Sequence, residues 1–400
     1  MRLRELGAVS KTEGVPGIWR AVHTDSDCRG KGLIAQWMKE AGLQVREDCF
    51  GNIYGRLEGE VPETILTGSH VDTVKNGGLY DGACGVATAV SAVGALVKAG
   101  WKPHYSVEII GIEEEEGSRF DLLYPGSRAI VGHLLTEELD SRDENGIVLK
   151  ELMEEKGYDW KRISEADRRG DVKEFIELHI EQGAVLEKEG LSIGLVEHIT
   201  GMMKADVAIY GEQNHAGTTP MYLRKDPVVK TAELILNMTE RVKEISRSAV
   251  ITIGELDLQP NVSNVIPGRV HFVIDMRDGD GAALLDAKKA VERIIHSAED
   301  DGFRTELKIY SYKEPVSLNA GLVDCLEETA RAAGAAYKRM NSGAGHDSMA
   351  IAGEIPTCMI FIPSVDGISH SPQEYTRPED LGWGCEVLGR LLVKRAKDRK

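Results

Sequence analysis

The sequence predicts an α/β protein of two domains, one mostly parallel and discontinuous in the chain, the other inserted into it. Three observations predict this. Four hundred residues, 42% of them hydrophobic, can bury more than one core. Apolar runs of strand length alternate with helical stretches up to about residue 200 and again from about residue 317, the pattern of a parallel sheet flanked by helices. Between them lies an order βαββαβ that is complete in itself.

Residues 30 to 43 carry Leu33, Ile34, Trp37, Met38 and Leu43 mostly on one face, an amphipathic helix before the strand-like segment from Asn52 to Leu57. Thr64 to Thr67, Ser106 to Ile112 and Glu174 to Ile180 are predicted as buried strands, Gly85 to Ala99 and Ser127 to Leu135 as helices. After Gly201 come a strand from Met203 to Tyr210, a long helix from Asp226 to Ile245 and strands from Ala249 to Leu258 and Val270 to Arg277. A helix from Ala282 to Ala298 and a strand from Thr305 to Tyr312 complete the segment. This order fits a ferredoxin-like α+β sandwich, two helices on one face of an antiparallel sheet. Helices at Gly321 to Ala333 and Asp380 to Ala396 around a strand from Thr357 to Ile362 restore the alternation. The expected division is 1–202 with 315–400 for the discontinuous domain and 203–314 for the insert.

Composition excludes several roles. With 48 basic against 65 acidic residues the formal charge is −17, which opposes nucleic acid and anionic membrane surfaces. Cys28, Cys49, Cys84, Cys325, Cys358 and Cys385 include no CxxC pair, so reduced thiols are expected rather than a thiolate metal site or redox dithiol. The first residues lack an apolar leader and no run approaches the roughly 20 apolar residues of a membrane span, so the expected location is cytoplasmic.

His70 and Asp72 form an HxD pair just after the strand containing Ile65 and Leu66. In extended backbone their side chains point to the same side, so Asp72 can accept a hydrogen bond from one imidazole nitrogen while the other binds metal. Asp81 lies in a glycine-rich loop ahead of a helix, where a carboxylate can bridge two cations. The run Glu113 to Glu116 follows an apolar strand; adjacent acids there repel unless cations or hydrogen bonds compensate. A solvated charge run is the alternative, and the abrupt strand-to-acid junction argues against it. His179 sits inside an apolar strand, where a satisfied core residue is the alternative, and His370 follows the strand ending at Ile362. Three histidines, an Asp and a Glu suit zinc or a neighbouring divalent ion, and paired cations activate water at neutral pH.

Several longer segments carry a resemblance: GSHVDTVKNGGLYDG, EEEEGSRF, ELHIEQG, NHAGTTPM, QPNVSNVIPG, SGAGHDS and GISHSPQE. From about Cys28 to the C-terminus the chain resembles the M20 family of dinuclear metal-dependent peptidases and amidohydrolases. The nearest branch is that of N-carbamoyl-L-amino acid hydrolases, β-ureidopropionases and allantoate amidohydrolases. The resemblance implies that Asp81 bridges two divalent ions (zinc, or manganese, cobalt or nickel), with His70 and His179 completing one site and Glu116 and His370 the other. It implies Glu115 as general base and His215 as donor to the oxyanion, in its own subunit or its partner's; Asp72, read above as the carboxylate behind His70, is counted with them as a catalytic residue. Asn264 and Arg277 become the clamp on a substrate carboxylate, with Gln182, Gly345 and His346 lining the remaining pocket. A homodimer formed through the insert, acting as lid and dimerisation domain, is implied as well.

Alternatives stay open at several positions. Arg277 can pair with Asp275 or Asp278, Asn264 can cap a turn before Pro267, and His346 can serve packing alone. The family's acidic motif usually has two or three glutamates where this chain has four. Counting back from Gly117 makes Glu115 the base and Glu116 the ligand, with Glu114 the alternative base. The resemblance implies hydrolysis of a linear C–N bond in a small ureido carboxylate. The run HVDTVKNGG resembles the allantoate branch, so allantoate is the first expectation and an N-carbamoyl-L-amino acid the second. An aminoacylase or peptidase on the same metals and a non-catalytic binding protein are the remaining alternatives.

Overall fold

A computed structural model describes all residues except 12, 13, 15, 121 and 398–400. The described chain divides into two compact units, one of Met1–Glu197, Ser317–Met340 and Ala344–Lys400, the other of His198–Val316 with Asn341–Gly343.

The first unit is built on a mixed sheet. Its strands run in the order Gln44–Glu47, Ile53–Leu57, Tyr105–Ile112, Val61–His70, Val172–Ile180, Thr357–Ile362, Ile193–Ile199, Val316–Ser317, with Tyr337–Ser342 also paired to Ile193–Ile199. The strands Tyr105–Ile112, Val61–His70, Val172–Ile180 and Thr357–Ile362 are parallel to one another. Every residue of Thr357–Ile362 is buried, as parallel strands covered on both faces require. The helix Ala83–Lys98 packs closely because a Cβ on Gly85 would overlap the Leu178 carbonyl.

The expectation of a mostly parallel sheet holds only for that centre. Ile53–Leu57 pairs antiparallel to Tyr105–Ile112, Gln44–Glu47 antiparallel to Ile53–Leu57, and Ile193–Ile199 antiparallel to Thr357–Ile362. The connection from Glu47 to Ile53 is too short for a parallel crossover and makes a hairpin, closed by the Asp48 carboxylate on the N–H groups of Phe50, Gly51 and Asn52. The helix expected from Ser127 to Leu135 spans Pro125–Ile130 instead, ending before Gly132, which takes φ +64°. The helices Arg2–Val9 and Leu149–Glu155 and the strands Ile193–Ile199 and Tyr337–Ser342 are additions to the elements anticipated.

In the second unit a four-stranded sheet runs Arg304–Lys313, Gly201–Tyr210, Arg269–Asp278, Val250–Gln259, and its described pairings are antiparallel. Along Arg269–Asp278 burial alternates strictly, the mark of a sheet with one covered face. The covering helices are Pro227–Ile245 and Gly281–His296, whose Leu234, Met238, Val242, Leu284, Val291 and Ile295 meet Val270, Phe272, Ile274 and Met276. Each helix starts at an aspartate cap: Asp226 accepts from Val228 N–H, and Asp280 from Ala282 and Ala283.

Among the described residues no helix is long and apolar enough to cross a membrane.

Candidate metal centre

Parallel strands deliver their carboxyl ends to one edge of a sheet, where an α/β fold places its ligand sites. Here His70 ends Val61–His70, Glu113 follows Tyr105–Ile112, His179 is the penultimate residue of Val172–Ile180, and His370 lies in the loop after Thr357–Ile362. Sheet topology thus gathers side chains that the sequence spreads over three hundred residues.

Asp81 is the centre of the cluster. Its Oδ1 lies 3.0 Å from His179 Nε2 and 3.5 Å from His70 Nε2, while its Oδ2 lies 3.1 Å from His370 Nε2. Glu116 Oε1 stands 3.5 Å from the same His370 nitrogen. The ligand atoms of His70, Asp81 and His179 fall within 4.8 Å of one another, as do those of Asp81, Glu116 and His370, and those of His70, Glu115 and Glu116. One carboxylate therefore presents an oxygen to each of two nitrogen- and oxygen-bearing lobes. These donors fit a pair of divalent cations held by imidazole and carboxylate.

The imidazoles are oriented from behind. His179 Nδ1 is 2.8 Å from the Ile180 carbonyl, and His70 Nδ1 is 3.1 Å from the Asp72 carbonyl and 3.5 Å from Asp72 Oδ1. Oxygen acceptors at Nδ1 keep the proton there and leave the Nε2 lone pair facing Asp81. Asp72 also accepts the backbone N–H of Glu115 at Oδ1 (3.0 Å) and of Glu116 at Oδ2 (3.1 Å). One buried carboxylate thus fixes both a histidine and the backbone of the acidic run.

The four glutamates of that run have four different surroundings. Glu113 turns away to Lys31, 3.0 Å from its Nζ, in a fully buried pair. Glu114 takes φ +57°, which reverses the chain, and its Oε1 accepts the N–H groups of Arg119 and Phe120. Glu115 Oε2 is 4.0 Å from His70 Nε2, and Glu116 faces His370. Glu114, the alternative base, is engaged in closing its own loop.

Burial dominates the electrostatics. It pushes Glu116 up to about 7, with Asp81 adding to the rise, and lifts Glu115 well above the usual carboxylate range despite His70. Burial raises Asp81 too, but hydrogen bonds from His179, His370 and His70 overcome it and hold the carboxyl well below its usual value. The hydrogen bond to Asp81 raises His370 to about 9. A site so dense in buried carboxylate calls for positive charge, which divalent cations would supply.

The remaining expected residues separate by unit. In the first unit, Gln182 Nε2 donates to Asp81 Oδ2 at 2.9 Å, and a Cβ on Gly345 would collide with the Tyr124 hydroxyl. His346 is buried, its ring edge-on to His179 at 4.5 Å and beside Phe361, and burial pushes its pKa well below 6.5. Gln182 and His370 both adopt positive φ, 58° and 54°, backbone strain of the kind that functional sites retain.

In the second unit, Asn214–His215 pairs with Val265–Ile266, and Ala216 N–H donates to the Asn264 carbonyl, so His215 and Asn264 are neighbours. His215 Nδ1 accepts from Gly217 and Thr218 N–H at 3.0 and 3.2 Å, which puts its proton on Nε2 as an exposed donor. Arg277 forms a two-pronged pair with Asp275 at 2.9 and 3.0 Å and donates to the Gly343 carbonyl. Of the two ion-pair alternatives the one with Asp275 is formed, whereas Asp278 accepts from Ser248 Oγ.

Sequence reasoning passed over Glu374, Ser369, Glu177 and Tyr124. Glu177 accepts from Ser69 Oγ, Ser348 Oγ and Ser348 N–H beneath His179, and Tyr124 takes φ +55°. Glu374 lies in the GISHSPQE segment, but no spacing rule marks a carboxylate that binds backbone amides.

Comparison with known proteins shows the family. Residues 66–394 match the family model for Peptidase family M20/M25/M40. The chain is 40% identical to an N-carbamoyl-L-amino acid amidohydrolase of Geobacillus stearothermophilus over 97% of this chain and 95% of that one. It is 40% identical to an allantoate amidohydrolase of Escherichia coli over 95% and 93%. A solved amidase of the hydantoinase/carbamoylase family from Burkholderia multivorans superposes with TM-score 0.93 at 33% identity, covering 100% of this chain and 97% of that one. With its ligand types gathered at the carboxyl ends of a parallel sheet centre and its sequence matched over most of its length, the chain belongs to the M20/M25/M40 peptidase family.

Proposed function

We propose that this protein is a dinuclear metal-dependent amidohydrolase that cleaves a linear ureido C–N bond in a small carboxylate substrate, allantoate first and an N-carbamoyl-L-amino acid second. The observation that carries the reading is Asp81, whose two oxygens face two separate donor sets with Glu115 beside them. The names of the relatives, allantoate amidohydrolase and N-carbamoyl-L-amino acid amidohydrolase, support the substrate class.

His70, His179 and Asp81 would hold one divalent cation and Glu116, His370 and Asp81 the other; when bound, the pair supplies an acidified water and polarises the carbonyl. Glu115 accepts the proton of the attacking water, and its raised affinity for protons suits a base that must later act as an acid. It then returns the proton to the departing nitrogen. Asp72 keeps His70 in the tautomer that offers Nε2. The reading assigns His215 Nε2–H to the developing oxyanion, and Arg277 with Asn264 to the substrate carboxylate. Gln182, Gly345 and His346 line the pocket.

The reading also takes residues 203–314 as a ferredoxin-like lid and dimerisation domain. Its support is the βαββαβ order and the exposed Val229, Leu236, Val250 and Leu256 on an outer helix and edge strand. Sedimentation is expected to show a dimer.

Hydrolysis of a terminal ureido group yields an amine, ammonia and carbon dioxide, whereas an N-acyl amino acid yields an amine and a carboxylic acid. Protein reconstituted with manganese or zinc is expected to release ammonia from allantoate or N-carbamoyl-L-amino acids. Turnover confined to N-acyl substrates would overturn the ureido reading.

A further inference from the structure

Glu374 is a buried carboxylate, 4% exposed, that belongs to neither donor set. Its Oε1 accepts the backbone N–H of Tyr80 at 2.7 Å and of Asp81 at 3.0 Å. Its Oε2 accepts the hydroxyl of Ser369 at 3.0 Å, and the same hydroxyl lies 2.9 Å from Asp81 Oδ2. A Cβ on Gly78 would overlap the Glu374 carboxylate, so the loop leading to Asp81 is wrapped directly onto it. One side chain thereby holds the main chain at Asp81 and the residue preceding His370, two loops that leave the ends of different strands.

The two lobes differ in what else holds them. His70 and His179 are buried and carried on strands, whereas His370 is 48% exposed, lies in a loop and takes φ +54°. Packing therefore fixes the first pair, and hydrogen bonds must fix the last.

We propose that Glu374 is a positioning residue that sets the separation of Asp81 and His370, so that the Asp81–Glu116–His370 lobe holds its cation tightly only while Glu374 grips both loops. This rests on the two-metal reading above and goes beyond its ligand set. Partners behind metal ligands commonly contribute ten- to a hundredfold in affinity.

The test is manganese binding by calorimetry together with bound-metal content, on folded protein verified by circular dichroism. The wild-type chain is expected to bind two ions. Glu374→Ala is expected to keep the first and bind the second about ten- to a hundredfold more weakly. Glu374→Gln is expected to restore most of that affinity, because its amide oxygen still accepts both N–H groups and its amide nitrogen can donate to Ser369 Oγ. Gly78→Ala, which displaces the carboxylate without removing it, is expected to resemble Glu374→Ala. Two ions bound by folded Glu374→Ala with wild-type affinities would overturn the proposal, and so would a Gln variant as weak as the Ala variant. If Glu374→Ala does not fold, Gly78→Ala is read in its place: a weakened second ion supports the proposal, and unchanged binding overturns it. A wild-type chain that binds fewer than two ions overturns the two-metal reading itself, and this inference with it.

Discussion

Glu115 and Glu116 are adjacent in sequence yet face different partners, because the left-handed turn at Glu114 and the grip of Asp72 on both amides aim them separately. General acid–base catalysis contributes about 10²–10⁴-fold, so Glu115→Gln is expected to lower kcat by that range while two metals remain bound. Retained turnover would remove Glu115 from the base role. At Arg277 the fork is already formed, held flat by Asp275. Lysine has no fork, so Arg277→Lys is expected to raise KM for a ureido carboxylate roughly tenfold, about 1.4 kcal/mol, with a smaller effect on kcat. An unchanged KM would favour a purely structural ion pair. These residue types were legible in the sequence, since HxD, the isolated Asp and the acid run each stand beside an apolar strand. Glu374 was not, because the backbone amides it binds lie almost three hundred residues away.

Among elements, the helix Ala83–Lys98 and the strand Val172–Ile180 approach so closely that only glycine fits at residue 85. Gly85→Ala is expected to cost about 1–3 kcal/mol in denaturant unfolding, the usual price of overpacking. Near the helix Asp25–Glu40, His23 is buried against Tyr158 and Phe50, and burial, reinforced by Lys31 and Arg119, holds its pKa well below 6.5. Below pH 6.5 the unfolded chain therefore protonates this imidazole while the folded chain does not, so stability falls as pH falls. The slope from this group approaches about 1.4 kcal/mol per pH unit until the folded pKa is reached. His23→Asn tolerates the positive φ and cannot titrate, so the dependence of unfolding free energy on pH from 7 to 5 is expected to be shallower in that variant. Equal slopes would exclude His23 as the source. Periodicity located most of these elements. It missed Ile193–Ile199 and Tyr337–Ser342, because strand direction and pairing depend on neighbours distant in the chain.

Across the whole molecule, every His/Asp/Glu group able to hold a cation among the described residues lies in the first unit, and all five tryptophans, Trp19, Trp37, Trp101, Trp160 and Trp383, lie there too. Tryptophan fluorescence therefore reports on the unit that carries the candidate metal centre. A cation that binds only the folded state at a hundred times its dissociation constant stabilises by about 2.7 kcal/mol. Removal by chelator is expected to lower the fluorescence-detected Tm by several degrees and abolish hydrolysis, with both restored by manganese or zinc. An unchanged Tm on chelation would count against ligands that bind in the native state.

By itself the sequence determined the residue types of the candidate site and the interleaving of strands and helices, because these follow from residue chemistry and short-range period, and its long motifs carried the resemblance to the family. Only the tertiary structure decided that Asp81 faces two lobes, that each glutamate of the run has its own partner, that the sheet is antiparallel at its flanks, and that Glu374 ties two loops together. The physical reason is that convergence at a sheet edge depends on strand order and direction. Those are properties of long-range pairing, and no local pattern encodes them.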